Sequence, residues 1–395
     1  MIETYDLAQL VRPALDWFYE NRRILPWREG KNPYHIWVSE IMLQQTRVEA
    51  VKPYYERFLG ELPDIASLAD CPEDRLLKLW EGLGYYNRVR NMQKAAREIM
   101  ERWEGKMPEH YPDILSLPGI GPYTAGAVAS IAFGEAVPAV DGNVLRILAR
   151  ASEDDSDILK ASTKRRFTEA LSAVMPEKEP GDFNQSLMEI GALVCVPNGD
   201  PHCEKCPWRD LCLARTHGRI GELPVKKQAK ARRIEKKTVC IIRDGERILL
   251  HKRPSKGLLA GLYELPNLEG QADEEEAIAF ARERGLQPLR VEPLPEAKHI
   301  FSHVEWHMTG YLFRLTKITE TEKRGSSGNV SEVDTLKKCI MAGFAVEDDS
   351  PADSRKELPQ IPEESEDWML VSKKKAKKEY AIPSAFEYYK KQMQE

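Results

Sequence analysis

Two carboxylates in this chain sit in surroundings unusual for an acid. Glu40 lies within Trp37-Val38-Ser39-Glu40-Ile41-Met42-Leu43-Gln44-Gln45-Thr46. On a helix its neighbours three and four residues away are Ile36, Trp37, Leu43 and Gln44. A carboxyl group so placed loses water, and its pKa rises toward neutrality. A lone helical glutamate is ordinarily a solvated surface residue, but an acid inside an apolar run is less ordinary. Asp141, in Val140-Asp141-Gly142-Asn143-Val144, follows an apolar stretch at a place where a helix should begin. Capping alone explains an isolated aspartate there. A capping carboxylate that receives backbone N–H bonds also stays ionised, and so can stabilise a developing cation. One neutral acid beside one anion is what glycosidic cleavage through an oxocarbenium-like state requires. On this reading Glu40 is the proton donor and Asp141 the anion.

Between them runs Leu117-Pro118-Gly119-Ile120-Gly121-Pro122-Tyr123-Thr124-Ala125. It reads as a helix, a tight glycine turn, and a second helix opened by Pro122 where proline is tolerated. Gly119 and Gly121 let the backbone approach a ligand, and the first N–H groups of the second helix suit a phosphate oxygen. A plain αα-hairpin turn is the alternative. Of seven cysteines, Cys71, Cys240 and Cys339 stand alone, whereas Cys195, Cys203, Cys206 and Cys212 fall within 18 residues. A chain expected in the cytosol rarely keeps disulfides, so this group reads as a metal or cluster site. The pattern Cys195-x7-Cys203-x2-Cys206-x5-Cys212 suits a [4Fe–4S] cluster or tetrahedral zinc.

These residues need a scaffold. With 395 residues, 42% hydrophobic and 31% charged, the chain has room for two or three packed domains of ordinary globular composition. No apolar run is long enough to span a membrane, and the acidic start lacks a secretory signal, which leads to the cytoplasmic expectation. A net charge of −5 argues against a generic polyanion binder. Residues 1–225 show helical periodicity around Leu7–Tyr19, Trp37–Phe58, Arg75–Trp80, Val89–Met100, Tyr123–Ala132, Val144–Ala149 and Lys164–Val174. A basic stretch, 226–237, reads as a linker. Beyond it Thr238–Arg243 and Arg247–Leu250 flank Asp244-Gly245, a hairpin signal. Strands are expected again at Ala297–Ser302 and His307–Leu315, and a helix at Glu274–Arg284. The acidic, Gly/Ser-containing segment 318–366 is expected to be mobile at least in part, and 371–395 reads as a Lys-rich tail.

The hairpin, the downstream aspartate and the four cysteines, in this order, resemble the helix-hairpin-helix DNA glycosylases. Trp27-Arg28, the Ser39–Thr46 run, Gly82-Leu83-Gly84-Tyr85-Tyr86 and Phe183-Asn184-Gln185 resemble the adenine DNA glycosylases of the MutY type. The likeness covers about 7–215, and more loosely 238–315. It implies a base-flipping enzyme, expected as a monomer, that removes adenine paired with 8-oxoguanine or guanine in duplex DNA. By the same resemblance Glu40 protonates adenine N7, Asp141 stabilises the sugar cation, and Tyr123 and Asn143 assist. Trp27, Arg28 and Gln185 line the adenine pocket. Gln45, Thr46, Leu83, Tyr85, Gly119 and Gly121 meet the DNA, with Gln45 and Tyr85 filling and wedging the disturbed stack. The family carries a [4Fe–4S] cluster, for which Cys195, Cys203, Cys206 and Cys212 are the ligands; here the first spacer has seven residues where the family has six.

Tyr123 separates this chain from the endonuclease III-type enzymes, where a hairpin lysine attacks the sugar. No lysine occurs from 107 to 159, so a monofunctional glycosylase that uses water is expected. In the second domain, Phe301-Ser302-His303 resembles the family loop that contacts 8-oxoguanine, on a Nudix-like fold. Glu274, Glu275 and Glu276 do not reproduce the Nudix metal box, so recognition rather than hydrolysis is expected there. The fold expected is therefore α+β multidomain: an all-α glycosylase domain (1–225, hairpin near 114–130, cluster segment 195–212) and a Nudix-like α+β domain (238–370). A bifunctional glycosylase/lyase and a non-catalytic, cluster-bearing reader of DNA damage are the rival readings.

Overall fold

The computed structural model describes residues 2–227, 231–315, 344–346 and 367–393. Cys339 and nearly all of the segment expected to be mobile lie outside them. Contacts divide the chain into two units: 1–71 with 87–229, and 72–86 with 230–395.

The first unit is helical: α1 (Ala8–Asn21), a 3-10 turn (Pro26–Arg28), α2 (Pro33–Leu43), α3 (Val48–Glu61) and α4 (Ile65–Asp70). After α5 (Glu73–Leu79), which clusters with the second unit, come α6 (Asn87–Arg102), α7 (Tyr111–Ser116), α8 (Pro122–Phe133), α9 (Gly142–Ala151), α10 (Ala161–Ser172), α11 (Pro180–Glu189) and α12 (Leu213–Thr216). The run Trp37–Phe58 is not continuous helix. It breaks at 44–47 between α2 and α3, where Arg88 donates to the carbonyls of Ile41 (2.6 Å) and Gln44 (2.8 Å) and so satisfies the open end of α2. Helix α8 is buried along most of its length. Gly126 permits this, because a Cβ there would stand 2.3 Å from the Pro138 carbonyl oxygen. Pro180 and Gly181 open α11; proline fits a first helical turn, whose N–H groups lack partners anyway.

The second unit is one mixed sheet whose strands run in the order β5-β6-β1-β2-β8-β7, with β3 on β2 and β4 on β1. Their ranges are β1 (Arg233–Asp244), β2 (Arg247–Lys252), β3 (Tyr263–Glu264), β4 (Asn267–Glu269), β5 (Pro288–Ile300), β6 (Val304–Leu315), β7 (Phe344–Val346) and β8 (Trp368–Ser372). Strand β1 pairs parallel with β6 and has both faces covered, which explains its unbroken apolar run. Val239 and Ile241 face one core with Trp306 and Met308, while Cys240 and Ile242 face another with Ala277 and Phe280 of α13 (Glu274–Glu283).

Two boundaries differ from expectation. The basic linker ends earlier, because Arg233–Lys237 already pairs with Val304–Met308. Lys237 is buried there, bonded to Glu269 and over the Trp306 ring. Nor do the described residues of the expected tail 371–395 form one. They complete β8 and form α14 (Lys373–Glu379) and α15 (Glu387–Gln392), with Ala376, Ile382, Phe386 and Tyr389 in the core. Their lysines sit on the outside of a short capped helix, so composition concealed an apolar face.

Candidate active site

Glu40 projects from α2, Tyr123 from the first turn of α8, and Asp141 from the N-cap of α9. Glu40 is 6% exposed. The Tyr123 hydroxyl donates to its Oε2 at 2.6 Å and lies 3.7 Å from the Met188 sulfur. Burial raises the Glu40 pKa to about 7 and the charge of Asp141 pushes the same way; the Tyr123 hydrogen bond and Arg28 oppose them. Burial, then Glu40 and Asp141, push the Tyr123 phenol well up, so Tyr123 stays a donor.

Asp141 is fixed from both sides. Its Oδ1 accepts from the backbone N–H of Asn143 and Val144, each at 2.8 Å, and its Oδ2 accepts from the Asn143 amide at 2.7 Å. Upstream, the fully buried Asn184 accepts from Ala139 N (2.9 Å) and donates to Val137 O (2.9 Å) and Ser130 Oγ (2.8 Å). Those three bonds staple the extended stretch that delivers Asp141 to its helix. Downstream, Arg146 reaches Asn143 Oδ1 (3.0 Å), Gly191 O (2.7 Å) and Cys195 O (2.9 Å). Sequence reasoning missed Arg146 and Asn184 as supports, since apart from Asn143 their partners lie 45–54 residues away and show no local pattern.

The remaining expected residues distribute as follows. Trp27, buried edge-on against Tyr55, joins Arg28 and Gln185 in lining an open cleft of about 590 Å³. The lining of that cleft does not include Glu40 or Asp141. Arg28 is paired with Glu189 at 2.9 Å. Gln45 is exposed with φ +61°, a left-handed conformation rare for a residue with a side chain, and Thr46 follows it in the same turn. Gly119 has φ +75°, and a Cβ there would strike Asn91 at 2.4 Å; Gly121 faces open space as the N-cap of α8. In the second unit Tyr85, with φ +46°, is 50% exposed, whereas Leu83 is buried. Ser302 and His303 are exposed in the β5–β6 turn, and Phe301 packs edge-on against Trp306. Glu274–Glu276 lie in the first turn of α13, with Glu276 closing a capping box with Asp273.

All four clustered cysteines line one cavity, together with Arg150, Arg209, Arg215 and Trp208. The longer first spacer therefore leaves Cys195 facing the same space. Arg150 donates to its sulfur at 3.2 Å. Burial pushes the Cys206 thiol up to about 12 and raises Cys203 and Cys212, and neighbouring sulfurs add to each. Four thiols facing one another in a cationic pocket suit a bound positive metal core, which ionises its ligands.

Residues 38–173 match the HhH-GPD superfamily of base excision DNA repair proteins, and 238–344 match the NUDIX domain. An adenine DNA glycosylase of Buchnera aphidicola subsp. Acyrthosiphon pisum is 34% identical over 317 residues, covering 80% of this chain and 89% of that protein. The chain belongs to the adenine DNA glycosylase family. Relatives of the same name from Mus musculus and Homo sapiens are each 34% identical, over 76% and 74% of this chain and 69% and 64% of their own lengths. Family membership makes it a DNA N-glycosylase of base excision repair with a helix-hairpin-helix domain and a Nudix-like domain. Among the described residues no helix is long and apolar enough to cross a membrane.

Proposed function

We propose that this adenine DNA glycosylase acts on adenine opposite 8-oxoguanine or guanine in duplex DNA, by hydrolysis and without a lyase step. The observation that carries this is the pairing of a buried acid, its pKa near 7, with a capped aspartate whose charge reaches it. With the nucleotide extruded, Glu40 gives its proton to adenine N7 while the bond between N9 and C1′ breaks and its electron pair leaves with the base. The carboxylate of Asp141 steadies the cation left on the sugar. Water adds its oxygen to C1′ and loses a proton. Tyr123 holds Glu40 in place, and Asn143 holds Asp141. Trp27, Arg28 and Gln185 form the walls met by the base. Gln45 and Tyr85, already bent into the left-handed region and exposed, take the places of stacked bases. Gly119 and Gly121 let the hairpin backbone approach a phosphate.

The four cysteines fit a [4Fe–4S] cluster. They line one cavity beside Arg150, Arg209 and Arg215, and four thiolates are the donor set such a cluster takes. Once bound, it would crosslink 195–212 by metal–thiolate bonds, and Arg146, on the Cys195 carbonyl, ties that segment to Asn143.

One assay tests the reading. Incubated with a duplex holding adenine opposite 8-oxoguanine, the protein should yield strand breaks only after hot alkali, and borohydride should trap little covalent adduct. Breaks before alkali, with efficient trapping, would point to the bifunctional reading. In the same assay, alanine at Phe301, Ser302 and His303 should erode the preference for 8-oxoguanine over guanine opposite adenine. Equal losses on both duplexes would remove that turn from lesion recognition.

A further inference from the structure

One buried carboxylate has no task in this chemistry. Glu189, the last residue of α11, is 1% exposed and holds two cations. Arg23 donates to it through Nε (2.9 Å) and Nη2 (2.6 Å), and Arg28 through Nη2 (2.9 Å). Arg28 also donates from Nη1 to the Arg23 carbonyl (3.1 Å) and lies over the Phe18 ring at 5.6 Å. Its guanidinium is thus fixed on three sides, and its charge is shared with an anion.

That arrangement matters because a free arginine beside a buried glutamate pairs with it and strips its proton. The 3-10 turn that carries Arg28 packs on α2, the helix that carries Glu40; the charged and titratable groups that act on Glu40 are Tyr123 from α8, Asp141 at the start of α9, and Arg28 from that turn. Helix α3, also packed on α2, adds none. We propose that Glu189 is a positioning residue for Arg28, holding the guanidinium toward the base pocket and away from an ion pair with Glu40. Arg23 completes the device by taking up the rest of the Glu189 charge. Simple stabilisation explains it poorly, since burying such a group sacrifices much hydration for little net gain.

The proposal rests on Glu40 as proton donor, and the test separates the two. Single-turnover excision by the full chain is measured across the neutral pH range for wild type, E40Q, E189Q, E189D and R23Q. E189Q frees Arg28 toward Glu40, so the alkaline fall in rate should move down by roughly 0.5–1 pH unit. E189D keeps the charge and should leave that limb near wild type. R23Q leaves all of the Glu189 charge on Arg28 and should move the limb upward. A slower rate with an unmoved limb in both E189Q and R23Q, or a shift of the same sign in both, overturns the proposal. Should E189Q fail to fold, R23Q at a more exposed side chain carries the test, and an unmoved limb there overturns it. A wild-type profile with no alkaline limb, or E40Q retaining one, overturns the acid assignment and this proposal with it.

Discussion

Replacing Glu40 with glutamine is expected to slow adenine excision by about 10²–10⁴-fold in single turnover, the range of one general acid, with DNA binding largely intact. Glutamine keeps the shape and can still accept from Tyr123, so the fold should not suffer; what disappears is a transferable proton at a site where, among the described residues, Asp141 is the other acid that acts on it. The pH profile gives a second, independent reading. Burial holds the Glu40 proton up to about pH 7. With Glu40 as the proton donor the protonated form is the active one, so the wild-type rate should be at its plateau below that value and fall as pH rises through it. The residual rate of E40Q should lack this fall. Stopped time courses with excess enzyme across the neutral range would show both effects. A variant within tenfold of wild type would exclude Glu40 as the donor.

Asp141→Asn should cost about 10²–10³-fold in the same rate, the scale of one electrostatic contact to a transition-state charge. The substitution is informative because asparagine is as good an N-cap as aspartate. It can accept from Asn143 N and Val144 N as the carboxylate does, so α9 should start in the same place. Urea unfolding should therefore barely change while catalysis collapses. If instead stability and rate fall together, or the rate survives, Asp141 is a cap and nothing more.

How far these roles were readable depends on how local their causes are. Glu40 could be recognised as buried because its helical neighbours are all within four residues, and Asp141 as a cap because capping is a property of the adjacent N–H groups. Strands β1 and β2 announced themselves through β-rich runs around a two-residue turn. The break at 44–47 was concealed because apolar residues continue on both sides, and only Arg88, more than forty residues on, explains it. The pairing of Arg23 and Arg28 with Glu189 joins residues over 160 apart, and nothing near any of the three hints at it. The Lys-rich end misled for a different reason: its buried Ala376, Ile382, Phe386 and Tyr389 are irregularly spaced, so the charges dominated the pattern.

The segment 72–86 clusters with the second unit although it interrupts the first in sequence. Asp74 accepts from Tyr263 (3.1 Å) and Lys252 (3.3 Å), Lys78 donates to the Tyr380 carbonyl (2.9 Å), and Glu81 accepts from Ile382 N (3.1 Å) and Lys390 (3.0 Å). A fragment cut at the basic stretch near 230 would forfeit every one of those partners. Anyone grafting the second unit onto another scaffold, or exchanging it between homologues, has to carry fifteen residues from the middle of the helical half along with it.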